Sequence, residues 1–370
     1  MAGVFYAVGD VGPSRADPAT IFGSVGTLLS AANGALCQLE INLTERGTRL
    51  PQARHTDRAH PKTAHALKQA GFSVVSWAGN HCMDWGQEGF FDTIEALRDA
   101  GLAVVGAGAN LAEARQPIFV DLDSTRLAVL AYCSILPMGY WAQDDRPGCA
   151  PLRAYTVYEQ IEHDQPGTPA RIHTFANRED LANLEADVAA AKEQADLVAV
   201  SLHWGIHFVP AVIADYQREA AHAAIDAGAD VILGHHAHIL KGIELYRGKP
   251  VFYSLSNFAM DLHMTPAHAD SKGFKEIQQL NPDWVPDFDS SYNFPPDSRR
   301  TIIVKLVTEK GALKRCSFLP AFIDTDSVPE VLEADDPRFS EVIDYLREIG
   351  DQADLDTELT ADGPEVVLVG

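Results

Sequence analysis

Val4-Phe5-Tyr6-Ala7-Val8-Gly9-Asp10 is a run of strand-forming residues that ends on a carboxylate, and this pattern decides the fold. Comparable apolar runs lead into Glu40, Asn80, His203 and the segment 235–238, so the pattern occurs on five separate strands. In an open α/β sheet, ligands bind beyond the carboxyl ends of the strands. The sequence therefore predicts one metal centre holding two ions, with ligands drawn from distant parts of the chain: Asp10, Glu40, Asn80, His203, His236 and His238.

Strand-like runs alternate with helical ones along most of the chain, which is the signature of an α/β domain. Apolar residues spaced three and four apart predict helices over residues 63–70, 87–100, 178–194 and 215–227. Three of these segments are followed by a glycine, as helix ends often are: Gly71, Gly101 and Gly228. A further strand pair is predicted over residues 118–122 and 127–132.

We expect one large domain over residues 1–325, interrupted by two irregular segments rich in proline, glycine and polar residues. These insertions span about 134–177 and 263–300. Long insertions in a compact domain are commonly lids or substrate loops, and surface decoration is the alternative. Residues 326–370 are predicted to form a helix and an acidic tail packed on the domain.

Composition excludes several classes of protein. The 370 residues are 46% hydrophobic and 22% charged, which is enough to build a large core. A net charge of −23 argues against a nucleic-acid partner, and no apolar stretch approaches the roughly 20 residues that span a bilayer. Five scattered cysteines without a CxxC pair indicate buried thiols. We expect a cytoplasmic protein without a membrane partner, and no oligomeric state is predicted.

Residues 46–68 depart from the acidic average, because they carry six cations and one acid. This stretch follows Glu40 and could cradle an anionic substrate, small or polymeric, although a solvated loop is the alternative. The substrate-binding candidates are Arg15, Arg46, Arg54, His207 and His235. Arg15 or Arg46 could instead neutralise one of the predicted acidic ligands.

Asn80 and His81 form the candidate catalytic turn between a strand and a helix. The amide oxygen of Asn80 can bind a cation, which places His81 beside whatever that cation holds. Asp84, three residues on, can orient the His81 ring and favour its imidazolium form. A structural turn is the alternative for an isolated Asn-His pair.

The histidines of the second half are interpreted in the same way. His236 and His238 are two apart, so on an extended segment both imidazoles would face one side and His235 would point the other way. His203 stands at a strand end, and His207 could reach the site or face solvent. A GxSxG nucleophile elbow and a Walker loop are both missing from the sequence.

Taken together, the order and spacing of these motifs resemble the CapA family, named for poly-γ-glutamate capsule synthesis, in the calcineurin-like metallophosphoesterase superfamily. The resemblance runs from Gly9 to about Pro320 and rests on the following motifs: Leu39-Glu40, Ala78-Gly79-Asn80-His81, Asp84-Trp85-Gly86, His203-Trp204-Gly205, Gly234-His235-His236-Ala237-His238 and Tyr253-Ser254-Leu255-Ser256-Asn257-Phe258. It implies a four-layer αββα sandwich with long loop insertions and a dinuclear site between the sheets. It also implies that the six predicted ligands hold metal and that His81 lies beside the leaving group.

The chain departs from the pattern of that superfamily at three positions. Asp10 is followed by Val11 and Gly12 where Asp-x-His is usual, so one metal lacks an imidazole. Gln38 stands where relatives commonly have Asn, and His207 stands where many have Glu.

The leading hypothesis is a hydrolase with two divalent ions (manganese, iron or zinc), whose bridging hydroxide attacks a phosphoester. Amide, lactone or γ-glutamyl hydrolysis would use the same hydroxide and stays open as the bond cleaved. In either case His81 would protonate the leaving group, and Asp84 would orient the His81 ring. The alternative is a non-catalytic capsule-assembly protein that binds an anionic polymer, which the missing histidine after Asp10 favours.

Overall fold

The structure is a computed structural model, and it describes residues 2–53, 57–165, 167–279 and 281–369. The strands are, in chain order, β1 (Gly3–Gly12), β2 (Gly34–Leu39), β3 (Asn42–Leu43), β4 (Arg58–Ala59), β5 (Val74–Ser76), β6 (Ala103–Val105), β7 (Ala107–Gly108), β8 (Ile118–Leu122), β9 (Thr125–Cys133), β10 (Gly148–Cys149), β11 (Ala154–Glu159), β12 (Arg171–Ala176), β13 (Leu197–His203), β14 (Val231–His235), β15 (Ile243–Tyr246), β16 (Lys249–Phe252), β17 (Asn257–Met260), β18 (Arg300–Glu309), β19 (Ala312–Ile323), β20 (Pro329–Val331), β21 (Glu358–Asp362) and β22 (Glu365–Val369). The helices are α1 (Val25–Ser30), α2 (Thr63–Gln69), α3 (Gly86–Asp99), α4 (Leu111–Ala114), α5 (Arg178–Lys192), α6 (Asp215–Ala227), α7 (Pro266–Ala269), α8 (Lys272–Gln278) and α9 (Pro337–Gln352), with short 3-10 helices at Pro18–Phe22 and Pro296–Arg299.

Most of the strands belong to two large sheets. The first sheet has ten strands in the order β21-β22-β19-β18-β1-β2-β5-β6, with β17 also paired to β1 and β20 to β19. The second sheet has six strands in the order β15-β16-β14-β13-β9-β8. Within the first sheet β1, β2, β5, β6 and β17 run parallel, and in the second β9, β13, β14 and β16 do. Parallel strands deliver their carboxyl ends to one edge, which is where the site lies.

The two sheets pack face to face between outer layers of helices. On β9, Leu127, Val129 and Ala131 join the core cluster shared with the first sheet, whereas the alternate residues Leu130 and Tyr132 join the cluster under α5 and α6. This alternation follows from the two-residue period of a strand. Helices α2, α3 and α9 contribute to the core of the first sheet from its other side. The predicted four-layer αββα sandwich is therefore confirmed.

The predicted helices are found with bounds that differ by a residue or two. The N-terminus of α5 is fixed by Asn177, whose side-chain oxygen accepts hydrogen bonds from the backbone N–H groups of Glu179 and Asp180 at 3.0 and 3.1 Å. Its partner helix α6 ends at Gly228, where a φ of 123° suits glycine better than other residues. The terminal glycine of α6 was part of the sequence-based prediction, whereas α5 was predicted from the spacing of its apolar residues.

The insertions and the C-terminal segment contain more regular structure than the sequence indicates. Residues 134–177 include the exposed hairpin β11–β12. Residues 263–300 include α7 and α8, and their apolar side chains form a separate core cluster with Phe208 and Met260. After α9, strands β21 and β22 form a hairpin that joins the first sheet through β19. Among the described residues, no helix is both long enough and apolar enough to cross a bilayer.

Candidate metal centre

The six predicted metal ligands lie together between the two sheets. The first sheet supplies oxygen donors: Asp10 near the end of β1, Glu40 just after β2, and Asn80 in the turn that follows β5. The second sheet supplies imidazoles: His203 at the end of β13, and His236 and His238 after β14. Their contacts with one another, given below, show that residues far apart in the sequence converge on one place.

Asp10 is placed by an irregularity in β1. The pairing register of β1 shifts at this residue against both β2 and β17, and a bulge of this kind re-aims a side chain. The Asp10 N–H donates to the carbonyl of Ser256 at 3.0 Å. Glycine is required just before it, because a Cβ on Gly9 would lie 2.0 Å from the Ser256 carbonyl oxygen. The close approach of these two strands thus positions the first acid of the site.

Asp10, Glu40 and His203 form the inner group of the site. All three are fully buried, and one ligand atom from each lies within 4.8 Å of the others. Burial, followed by the negative charges of Asp10 and Asp84, raises the pKa of Glu40 well above its usual value. Burial also works to raise the pKa of Asp10, but interactions with the adjacent side chains of His235 and His238 outweigh it, so the pKa of Asp10 is lowered. Burial lowers the pKa of His203, which favours the neutral imidazole that binds metal.

The inner group fits a divalent cation. Among the described residues, no donor makes a hydrogen bond to either carboxylate oxygen of Glu40 or to Oδ1 of Asp10. His203 Nδ1 lies 3.1 Å from Glu40 Oε1. Asp10 Oδ2 accepts a hydrogen bond of 3.1 Å from the N–H of His236. Two adjacent buried carboxyl groups with so few donors call for positive charge. Carboxylate and imidazole donors in one group suit first-row transition metals such as manganese, iron or zinc.

His236 and His238 form an outer group together with His207, because one ring nitrogen from each lies within 4.8 Å of the others. The prediction of an extended segment here is wrong: the φ angles of His236 and His238 are 84° and 55°, so the chain turns at both residues. The two rings still face the site. His236 Nδ1 is 3.1 Å from His203 Nε2, and burial lowers the pKa of His236.

His235 does not point away from the site, as the extended segment would require. Its Nδ1 lies 3.3 Å from Asp10 Oδ1, and both side chains are buried. The turn that follows β14 explains the difference, since alternation of side chains holds only in a regular strand.

The candidate acid lies beside both groups. His81 Nδ1 is 2.7 Å from Asp84 Oδ2, and the other Asp84 oxygen accepts a hydrogen bond of 2.7 Å from the hydroxyl of Tyr140. This fixes the His81 ring with Nε2 towards the site, 3.2 Å from Asn80 Nδ2 and 3.8 Å from Glu40 Oε2. The oxygen of the Asn80 amide points away from His81 and lies 2.7 Å from His203 Nε2.

A cavity of about 560 Å³ opens above the site. Its polar wall is formed by Gln52, Asn80, His81, Asp84, His207 and His238, while the inner group lies beneath it. The rest of the wall is apolar and comes largely from the two insertions: Ile135, Leu136, Met138, Ile277, Trp284 and Phe294. Among the residues that the structure describes, no lysine or arginine lines this cavity.

The predicted substrate-binding arginines contact other protein groups. The Arg15 guanidinium pairs with buried Asp261 at 2.6 Å, and Arg46 pairs with Asp92. The alternative that these arginines neutralise Asp10 or Glu40 is therefore wrong. Arg54 lies outside the described residues. Whether Arg15, Arg46, Arg54, His207 and His235 bind substrate stays a prediction.

Other cations of the basic stretch also contact the protein itself. The Arg58 guanidinium lies 4.1 Å from the centre of the Trp85 ring, and the ammonium of Lys62 donates to the carbonyl of Ala16 at 2.8 Å. Lys68 does the same with the carbonyl of Gly101, at 3.0 Å. These contacts stabilise the loop after Glu40.

Sequence reasoning missed the residues that orient the ligands. His238 Nδ1 is 2.8 Å from Asn257 Oδ1, and Asn257 Nδ2 donates to the Tyr292 hydroxyl at 2.9 Å. Asn257 lies in a motif already noted, but its role could not be inferred without knowing that β17 pairs with β1. Tyr140 and Tyr292 lie in the irregular insertions, where no local pattern marks them.

The chain is similar to a known family of bacterial proteins. The family model "Bacterial capsule synthesis protein PGA_cap" matches residues 5–262. The capsule biosynthesis protein CapA of Bacillus anthracis is 32% identical over 203 residues, which cover 55% of this chain and 44% of that protein. The PGA biosynthesis protein CapA of Bacillus subtilis is 32% identical over 205 residues, covering 55% and 47%. The chain thus spans about half the length of these relatives.

A solved structure of a hypothetical protein from Thermus thermophilus is similar at a TM-score of 0.46 and 15% identity. The similarity covers 86% of this chain and 98% of that one.

Proposed function

This chain belongs to the bacterial capsule synthesis PGA_cap family, and from that premise we propose that it is a dinuclear metal-dependent hydrolase. The predicted resemblance to CapA is confirmed by the family model and the relatives. The proposal is supported most directly by the inner group, in which two buried carboxyl groups lie close together. Both oxygens of Glu40 and Oδ1 of Asp10 have no hydrogen-bond donor among the described residues. A second group of ligand-forming side chains adjoins it at the floor of a cavity.

Divalent ions bound there would polarise the scissile group and supply a nucleophilic water of lowered pKa. The side chains of the protein perform the remaining tasks. His81 donates a proton from Nε2 to the leaving group, because this nitrogen faces the site while Nδ1 is held by Asp84. Tyr140 in turn orients Asp84. The bond cleaved is a phosphoester or a related acyl bond (amide, lactone or γ-glutamyl).

The cavity supports a substrate with an apolar portion next to the bond that is cleaved. The anionic or polarised centre would lie on the metal side of the cavity, and the apolar portion would pack against the aromatic wall formed by Trp284 and Phe294. Trp284 is held in place by a hydrogen bond of 2.9 Å from its indole N–H to the carbonyl of Asn293. This arrangement suits an aryl or alkyl ester better than a uniformly charged polymer.

A substrate panel with added manganese, iron or zinc tests the proposal. It should compare phenyl phosphate, glycerol phosphate, γ-glutamyl anilides and aryl lactones by initial rates. We expect turnover of at least one class, with higher kcat/KM for the aryl member than for the polar one. Trp284→Ala should reduce that preference, whereas Val285→Ala, at a neighbouring side chain that is 77% exposed, should not. No turnover of any class with any of the three metals would contradict the proposal.

The names of the relatives favour a second candidate, in which the chain takes part in capsule or poly-γ-glutamate synthesis by binding the anionic polymer without cleaving it. Binding of poly-γ-glutamate to the metal-free protein, with an affinity that falls steeply with salt, would support this role. Binding that depends on metal and is lost in Asp10→Ala would instead support the hydrolase.

A further inference from the structure

His207 lies against two of the predicted ligands. The centre of its ring is 3.9 Å from that of His236 and 5.3 Å from that of His238, and one nitrogen of each ring lies within 4.8 Å of the others. Two nitrogens bound to one tetrahedral zinc ion at the usual 2.0–2.1 Å are separated by about 3.3 Å. Small rotations of the rings therefore bring the three histidines to ligating distance.

The loop that carries His207 is anchored at this position. The N–H of the next residue, Phe208, donates to the carbonyl of Ala237 at 3.1 Å, which ties the loop to the turn between His236 and His238. The buried ammonium of Lys241 donates to the carbonyls of Val209, Pro210 and Val212. His207 is thus presented to the site by a fixed segment of backbone.

The tautomer of His238 also suits metal binding. The Tyr292 hydroxyl donates to the carbonyl of Ser298 at 2.6 Å, so its oxygen must accept from Asn257 Nδ2. The oxygen of the Asn257 amide is then left to accept from His238 Nδ1, at 2.8 Å. The proton of the His238 ring is therefore on Nδ1, and the lone pair on Nε2 is available to a cation. Hydrogen bonds of this kind commonly orient metal-binding histidines.

On the basis of the proposed dinuclear centre, we propose that His207 is a metal ligand, which completes an all-imidazole outer site with His236 and His238. The inner site differs in chemistry, because Asp10 and Glu40 provide carboxylates there. Imidazoles suit zinc, copper, nickel or iron, whereas carboxylates suit manganese, magnesium or calcium. The two sites therefore prefer different metals. This chain has Gly12 at the position two residues after Asp10, where the superfamily usually has a histidine. His207 would replace the imidazole that is missing there.

Cobalt titration of the metal-free protein, followed by visible absorption, tests this assignment without measuring activity. The wild-type chain should bind two equivalents. His207→Ala and His207→Gln should keep one tight equivalent and bind the second more than about 100-fold more weakly, since even residues that only support a ligand cost 10–100-fold. His207→Gln has a side chain that can still hydrogen-bond a substrate, so it separates ligation from substrate contact. Circular dichroism and melting curves verify that each variant is folded.

His222→Ala is the matched control. His222 lies on α6, where its Nε2 is 2.9 Å from Glu244 and its ring stacks on Tyr246 at 3.7 Å. This variant should bind two equivalents like the wild type. His207→Glu should restore the second equivalent with a shift in preference from zinc towards manganese, because a carboxylate replaces an imidazole.

Two results would overturn the inference in distinguishable ways. If the wild type and both His207→Ala and His207→Gln bind two equivalents with unchanged affinity and spectrum, His207 is not a ligand and the proposed hydrolase stands. If the wild type binds one equivalent or none, the dinuclear centre itself is wrong, and the outer site fails with it.

Discussion

The two sheets contribute different chemistry to the same site. The first sheet provides oxygen donors from Asp10, Glu40 and Asn80, and the second provides imidazoles from His203, His236 and His238. His203, from the second sheet, contacts two ligands of the first sheet. Its Nδ1 is 3.1 Å from Glu40 Oε1 and its Nε2 is 2.7 Å from Asn80 Oδ1. Neither sheet alone assembles a mixed set of donors. The site therefore forms only when the two sheets are packed against each other.

The sheets also differ in how they deliver their ligands. In the first sheet, Asp10 is aimed by a bulge within a strand that is otherwise regular. In the second, His236 and His238 adopt positive φ angles of 84° and 55°, which are unfavourable for residues other than glycine. Backbone strain of this kind persists where the surrounding structure imposes it, and it is common at functional sites. The imidazole side of the site is thus the more strained side.

Removing one ligand from each sheet should have the largest effect. We expect Asp10→Ala and His203→Ala each to lower metal affinity by more than about 100-fold and to abolish hydrolysis, because the two residues belong to one inner group. Isothermal titration with manganese measures the affinity. If one variant loses both ions and the other loses neither, Asp10 and His203 do not belong to one site, and the two sheets do not share their ligands.

His81→Ala should separate catalysis from metal binding. Loss of a general acid typically costs 10²–10⁴-fold in rate, so kcat should fall by about that factor while the metal content is unchanged. His81→Ala should be least harmful towards substrates whose leaving group needs no protonation, such as nitrophenyl esters. Equal losses for good and poor leaving groups would instead assign His81 to substrate binding.

Asn257→Ala should have a smaller effect that is confined to the imidazole side. The side chain of Asn257 accepts from His238 Nδ1 and makes no described hydrogen bond to Asp10, Glu40 or Asn80. Its backbone pairs with Asp10 between β17 and β1, and substitution to alanine keeps that backbone. Loss of a group that orients a metal-binding histidine typically costs 10–100-fold in affinity. We expect that loss for the outer ion alone, measured by cobalt titration. A loss at both sites would mean that the two groups are not independent.

The smallest predicted effect concerns stability. Burial raises the pKa of Glu40 above the ordinary value of 4.5, so the folded metal-free protein is penalised as the pH rises and this carboxyl group ionises. Well below pH 4.5 the group is protonated in both states and the penalty vanishes. Glu40→Gln, which cannot ionise, should therefore stabilise the metal-free protein at pH 8, by about 1.4 kcal/mol for every pH unit that separates 4.5 from the pKa of Glu40 in the folded protein. The gain in urea unfolding free energy should shrink as the pH falls. A gain that grows on acidification would contradict the raised pKa.

The parts of the fold that sequence analysis predicted are those fixed by local signals. The helices around 178–194 and 215–227 carry an asparagine cap and a terminal glycine, and the structure places them within two residues of the prediction. The candidate ligands were visible because each follows an apolar strand. The hairpin β21–β22 was missed, because its place depends on β19, which is remote in the sequence.

The site was harder to predict wherever it depends on packing between distant segments. No glycine marks the turn at His236 and His238, so the sequence predicted an extended segment in which His235 points away from the site. The pairing of Arg15 with Asp261 and of Arg46 with Asp92 joins residues 246 and 46 positions apart. Most of the apolar wall of the cavity comes from the two insertions, whose irregular sequences carry no periodic signal.

Elemental analysis of the purified protein measures whether donors from both sheets hold a pair of divalent ions. Inductively coupled plasma mass spectrometry of protein dialysed against metal-free buffer would count the transition metals bound per chain. We predict a count near two for the wild type, falling to near one in Asp10→Ala, because the outer group of histidines keeps its ion. A count near zero for the wild type, which persists after incubation with manganese, iron and zinc, would contradict it.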